Sequence, residues 1–128
     1  MNGKRFLLDT NAVVQLLSGN KELLSILSGA VYVATSVICE LEFLSFPGLS
    51  EKDRRYFESF LTRIRVIDVC TADVLLKDRV QAYRSEKKLK LPDAVIAASA
   101  AIHECILVTA DKQLLKTPGL LVQEYQTI

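Results

Sequence analysis

Acidic side chains follow apolar, β-rich runs at three places in this chain. Leu7-Leu8 leads into Asp9-Thr10-Asn11, Tyr32-Val33-Ala34 into Thr35-Ser36 and then Glu40 and Glu42, and Leu107-Val108 into Thr109-Ala110-Asp111. A fourth acid, Asp93, follows Pro92 at the start of an alanine-rich helical pattern. Carboxylates gathered without compensating Lys or Arg repel one another and push their pKa values up. A hard divalent cation relieves that repulsion, and an all-oxygen donor set suits Mg²⁺ or Mn²⁺. A carboxylate-bound cation that keeps waters activates hydroxide and clamps a phosphodiester, so the chemistry predicted is phosphodiester hydrolysis. Each acid also has a structural alternative: Asp9 as a helix N-cap, Asp93 as a dipole partner, Asp111 as a turn residue and Glu42 as a solvated helix residue. Convergence of all four on one place separates the two readings.

The elements that must position them alternate regularly. Phe6 to Leu8, Val31 to Ala34, Val66 to Val69, Ile106 to Thr109 and Leu120 to Val122 are short, Val/Ile-rich and apolar on successive residues. That pattern predicts strands of a parallel sheet covered on both faces. Helices are predicted over Lys21 to Leu27 after Asn20, over Glu51 to Arg63 capped by Ser50, and over Ala72 to Lys87 capped by Thr71. Pro92 opens a further helix from Asp93 to about Glu104. Right-handed crossovers place helices on both faces, giving a three-layer α/β/α sandwich around about five parallel strands in one domain spanning 1–128. Ligands of such sheets bind beyond the carboxyl ends of the strands, where Asp9, Glu40, Glu42 and Asp111 fall and toward which Asp93 could be aimed.

Composition narrows the function classes. Sixteen Lys and Arg against fifteen Asp and Glu give a formal charge of +1, which excludes a polycation or an acidic tail. Half the residues are apolar, enough for a core at this length. Mean hydropathy of +0.24 hints at an apolar face shared with a partner. Cys39, Cys70 and Cys105 are spaced too irregularly for a disulfide framework or a zinc clip and read as buried reduced thiols. His103 is the only histidine, so zinc sites and a Ser-His-Asp triad both lack parts. Phe6 to Leu8 is too short for a signal core, and Ala94 to Ile102 cannot span a bilayer, so a cytoplasmic protein is expected.

The segments Leu7 to Val14, Thr35 to Glu42, Leu91 to Ala98 and Leu107 to Asp111, in that order, resemble the motifs of a PIN-domain ribonuclease, most closely the toxins of VapBC-type toxin-antitoxin modules. The resemblance covers nearly the whole chain. It implies a PIN-like α/β/α sandwich, a homodimer, Mg²⁺-dependent cleavage of RNA with Mn²⁺ as substitute, and restraint by a cognate antitoxin. Position by position, Asp9, Asp93 and Asp111 match the first, third and fourth carboxylates of the family. For the second, Glu40 and Glu42 point about 200° apart on a helix, so only one can reach the cation. Similar sequences place five residues between the serine, here Ser36, and the glutamate, which favours Glu42 with Glu40 as the alternate. Asn11 and Thr109 are expected to position the carboxylates or a bound water, and Ser36 to cap the helix carrying Glu42.

Between Lys77 and Lys90 six basic residues face two acids, an excess of four positive charges. Lys87, Lys88 and Lys90 precede Asp93 and are expected to meet RNA phosphates, the alternative being a solvated helix face. Val13, Val14, Leu16, Leu17, Leu23, Leu24 and Leu27 offer apolar surface to the core, a second copy or an antitoxin peptide. A phospho-receiver domain would need an acidic pair after the first strand and a Lys after the fifth, neither of which is present. A dehalogenase-type phosphatase would need an acid where Asn11 stands. A PIN-like module that binds RNA or protein without cutting is the remaining alternative.

Overall fold

The computed structural model describes residues 3–128. Its five strands form one sheet in the order β3-β2-β1-β4-β5: β1 Lys4–Leu8, β2 Ala30–Ser36, β3 Arg65–Ile67, β4 Ile106–Thr109 and β5 Val122–Glu124. All four pairings are parallel, as the unbroken apolar runs predict. The helices among the described residues are α1 Thr10–Leu17, α2 Lys21–Leu27, α3 Val37–Leu44, α4 Glu51–Leu61, α5 Val74–Glu86, α6 Leu91–Ile102 and α7 Lys112–Leu115.

Alternation along the strands divides the interior into two cores. Leu7, Ala34 and Leu107 face one side and pack with Leu76 and Tyr83 of α5 and with Ala94, Ala97 and Ala98 of α6. Phe6, Leu8 and Val108 face the other and pack with Val13 of α1, Leu23 of α2, Phe57 of α4 and Tyr125. Helix α3 serves both, Cys39 in one core and Phe43 in the other. Ala94, Ala97, Ala98 and Ala100 of α6 are fully buried, and their small side chains let this helix settle close to the sheet.

Side-chain caps fix most helix starts: Asp9, Asn20, Ser36, Ser50, Asp73 and Asp111 each accept a backbone N–H of the first turn. Helix α6 has no side-chain cap and instead carries Pro92 in its first turn, where the absent N–H costs nothing. Gly19, at φ 92°, ends α1 in a conformation that glycine adopts without strain, so that Asn20 can open α2.

Several boundaries differ from expectation: β1 and β2 begin earlier and β2 runs on to Ser36, α4 ends at Leu61 rather than Arg63, and three further differences have a local cause. Asp73, not Thr71, caps α5, because its carboxylate reaches the Leu76 N–H at 3.0 Å while 71–72 form a turn. β3 stops at Ile67, and Val69 is exposed rather than paired. β5 runs over Val122–Glu124; Leu120, assigned to the strand from its apolarity, is buried ahead of it. Of the three thiols only Cys39 and Cys105 are buried, and Cys70 is exposed. No helix among the described residues is long and apolar enough to cross a membrane.

Candidate active site

The chain runs outward from β1 through β2 to β3, then returns to the far side of β1 to lay down β4 and β5. β1 and β4 are therefore the neighbours from which successive connections diverge, and a crevice opens beyond their carboxyl ends. Asp9 follows β1 and Asp111 stands two residues after β4. Glu42 reaches the same crevice from α3 and Asp93 from the first turn of α6.

These four carboxylates line one cleft of about 550 Å³, together with Thr10, Asn11, Val14, Phe46, Ile96, Ala110 and Thr127. None of the lining residues is basic. Glu42 is among them and Glu40 is not, as their opposed directions on α3 require. Lys87, Lys88 and Lys90 are exposed and lie outside the lining. His103 ends α6, away from the cleft, where its carbonyl accepts from Arg5 at 2.9 Å.

Each acid has its own local anchor. Asp9 is 6% exposed; its Oδ1 accepts the Ala12 N–H at 2.8 Å and its Oδ2 accepts the Thr109 hydroxyl at 2.5 Å. Thr109 Oγ1 in turn accepts the Asp111 N–H at 3.0 Å, so one hydroxyl ties the ends of β1 and β4 together. Asp111 Oδ1 accepts from Gln113 and Leu114 at the start of α7. Glu42 Oε1 accepts the Thr10 hydroxyl at 2.5 Å. The cap and turn roles that stood as alternatives for Asp9 and Asp111 are thus met by carboxylates that also face the cleft. Ser36 Oγ accepts the Ile38 N–H at 3.0 Å and caps α3. Asn11 does not reach a carboxylate: its amide donates to the Tyr125 hydroxyl at 3.1 Å, because the residue after Thr10 is turned about 100° around α1. Thr10, not singled out in the sequence, is the polar residue of that turn that reaches an acid.

The electrostatics follow from this crowding. Burial, opposed by the Thr109 and Ala12 hydrogen bonds and reinforced by Asp111 and Asp93, pushes the Asp9 carboxyl up to about 6. Asp93 is also raised, by burial and then by Asp111 and Glu42, while Lys90 acts the other way. Among the described residues no three acidic, histidine or cysteine side chains are already drawn close enough to close on an ion. The donor set is nonetheless oxygen only, net negative and without a basic neighbour in the lining, which fits a hard divalent cation held partly through water.

A family model described as PIN domain matches residues 6–120. The chain belongs to the PIN-domain family. The PIN domain matches solved structures along most of its length. A chain of a toxin-antitoxin complex from Klebsiella pneumoniae is 31% identical, with 90% of this chain and 94% of that one covered at a TM-score of 0.75. A chain of VapBC2 from Rickettsia felis, solved bound to a DNA fragment from their promoter, is 22% identical over 94% of this chain and 98% of that one, at a TM-score of 0.79. A chain of VapBC-1 from nontypeable Haemophilus influenzae is 20% identical over 93% and 96%, at 0.75. No curated protein matches the sequence significantly. The three-layer architecture expected from the alternation of elements is therefore that of a PIN domain.

Proposed function

We propose that this PIN domain is a metal-dependent endoribonuclease and the toxin of a toxin-antitoxin pair, acting in the cytoplasm. The observation that carries the reading is the cleft in which Asp9, Glu42, Asp93 and Asp111, from four separate elements, face one another with no basic side chain among them. Such an arrangement is electrostatically unfavourable by itself. It becomes favourable with Mg²⁺, or Mn²⁺ in its place, between the carboxylates.

When bound there, the cation supplies Lewis acidity toward a phosphate and lowers the pKa of water. The side chains do the rest. Asp9, fixed by Thr109 and the α1 N-terminus, is the rigid ligand at the floor. Glu42 and Asp93 approach from α3 and α6 and close the sides, and Asp111 stands at the exposed rim. Neither the single histidine nor the ribose 2′-hydroxyl is required: with water as the nucleophile at phosphorus and the 3′-oxygen as the leaving group, the P–O3′ bond breaks and the products carry a 5′-phosphate and a 3′-hydroxyl. Lys87, Lys88 and Lys90, next to the start of α6, take phosphates of the same RNA strand outside the cleft.

Partners follow from the same likeness, since the 31% identical relative is a chain of a toxin-antitoxin complex. A second groove lined by Val14, Leu17, Phe43, Phe46, Leu49 and Tyr56 shares Val14 and Phe46 with the cleft, and an amphipathic antitoxin segment fits there. Of the early apolar residues, Val13 and Leu23 belong to the core, while Leu24 is exposed. A homodimer has apolar surface available beside α5 and α6, where Val69 and Leu91 are exposed.

The test is cleavage of a mixed structured RNA pool by the purified protein with Mg²⁺, Mn²⁺ or EDTA, beside Asp9→Asn. Cutting with either metal, none with EDTA and none by the variant is expected. RNA binding without cutting in any metal, by well-folded protein, would favour a non-catalytic binding module.

A further inference from the structure

Two polar residues follow Asp9, and only the first turns its side chain toward a cleft carboxylate. Thr10 Oγ1 donates to Glu42 Oε1 at 2.5 Å across 32 residues of sequence, and both side chains line the cleft. The bond joins the first residue of α1 to the sixth of α3. A glutamate has three side-chain torsions, and holding them in one arrangement loses rotamer freedom. Aiming the carboxylate at the cleft also brings it toward Asp93, whose own carboxyl is raised in part by Glu42. Both effects favour Glu42 swinging out to solvent, and a hydroxyl donor to its carboxylate opposes them with a short, charge-assisted bond. Thr109 does the same for Asp9, so a threonine hydroxyl holds each of the two acids that follow β1 and β2.

We propose that Thr10 is a positioning residue: its hydroxyl holds Glu42 turned into the cleft and thereby fixes the second carboxylate for a divalent cation. This rests on the cleft being a cation site, and the experiment separates the two. Mn²⁺ binding to the full chain is measured by calorimetry and by the electron paramagnetic resonance of free Mn²⁺, without RNA, for wild type, Thr10→Val, Thr10→Ser, Glu42→Gln and the Thr10→Val/Glu42→Gln pair, with thermal melts in EDTA reporting folding. Loss of a hydrogen bond behind a metal ligand typically weakens binding tenfold or more. Thr10→Val is expected to lose about that factor, Thr10→Ser to bind as wild type does, and the pair to bind no worse than Glu42→Gln alone. Wild-type affinity in Thr10→Val, with Glu42→Gln impaired, would overturn the role of Thr10 and leave the cation site standing; a lowered melt with unchanged Mn²⁺ affinity would make the bond a staple between α1 and α3 only. No Mn²⁺ binding by wild type would overturn both.

Discussion

Asp9→Asn should stabilise this protein when no metal is present. The Asp9 carboxyl, only 6% exposed, is pushed from 3.8 to about 6 by burial and by the neighbouring Asp111 and Asp93. The folded chain therefore holds a proton that the unfolded chain has released between about pH 4 and 6, and stability falls as pH rises through that window. The penalty is complete above about pH 6. Two units at about 1.4 kcal/mol each set its upper bound at about 3 kcal/mol. Asparagine keeps the cap, because its carbonyl can still accept the Ala12 N–H, and it brings no charge into the site. The assay is urea unfolding in EDTA at pH 4 and pH 8. The variant should match wild type at pH 4 and exceed it by up to about 3 kcal/mol at pH 8, roughly 10 °C in Tm for a domain of this size. Saturating Mn²⁺ should reverse the order, since wild type gains binding energy that the variant does not. A gap that is absent at pH 8, or equal at both pH values, would refute the account of Asp9 as a buried, repelled carboxylate.

Further outcomes follow from the same geometry. RNA fragments should carry 5′-phosphate and 3′-hydroxyl ends, read by ligation and mass spectrometry; 2′,3′-cyclic phosphates would contradict water as the nucleophile. Changing Lys87, Lys88 and Lys90 together to Gln should weaken RNA binding and flatten the dependence of log K on log salt by about 2, from about 0.7 per lost phosphate contact on a single strand. Ala98→Leu, at a fully buried position of α6, should destabilise by about 1–3 kcal/mol in denaturant unfolding, because its neighbours already fill the space over the sheet.

What could be read in the sequence and what could not divide along a physical line. Strand runs such as Phe6 to Leu8 and Ile106 to Thr109 declare themselves because burial on both faces demands apolar residues in succession. The same logic overextends where an apolar residue is buried without joining the ladder, as Leu120 is before β5. Cap residues compete locally, and Asp73 prevails over Thr71 through a bond that spacing alone does not choose. That the four acids meet at one cleft was legible because chain direction and strand order bring the ends of β1 and β4 together. Period says only that Glu40 and Glu42 point apart, and the preference for Glu42 came from the likeness to similar sequences. The roles of Asn11 and Thr10 were not legible, because their partners, Tyr125 and Glu42, lie 114 and 32 residues away. Adjacency to Asp9 says nothing about which of two successive helical residues faces the cleft.

The four cleft acids themselves, and not merely acidity near them, are expected to support the chemistry. Single-turnover RNA cleavage in Mn²⁺ by Glu42→Gln and Glu40→Gln, two residues apart on one helix, tests this most directly. Cutting should be lost with Glu42→Gln and kept with Glu40→Gln, with both variants melting like wild type in EDTA. Equal rates for the two, or loss with Glu40→Gln alone, would contradict the cleft as the site of cleavage.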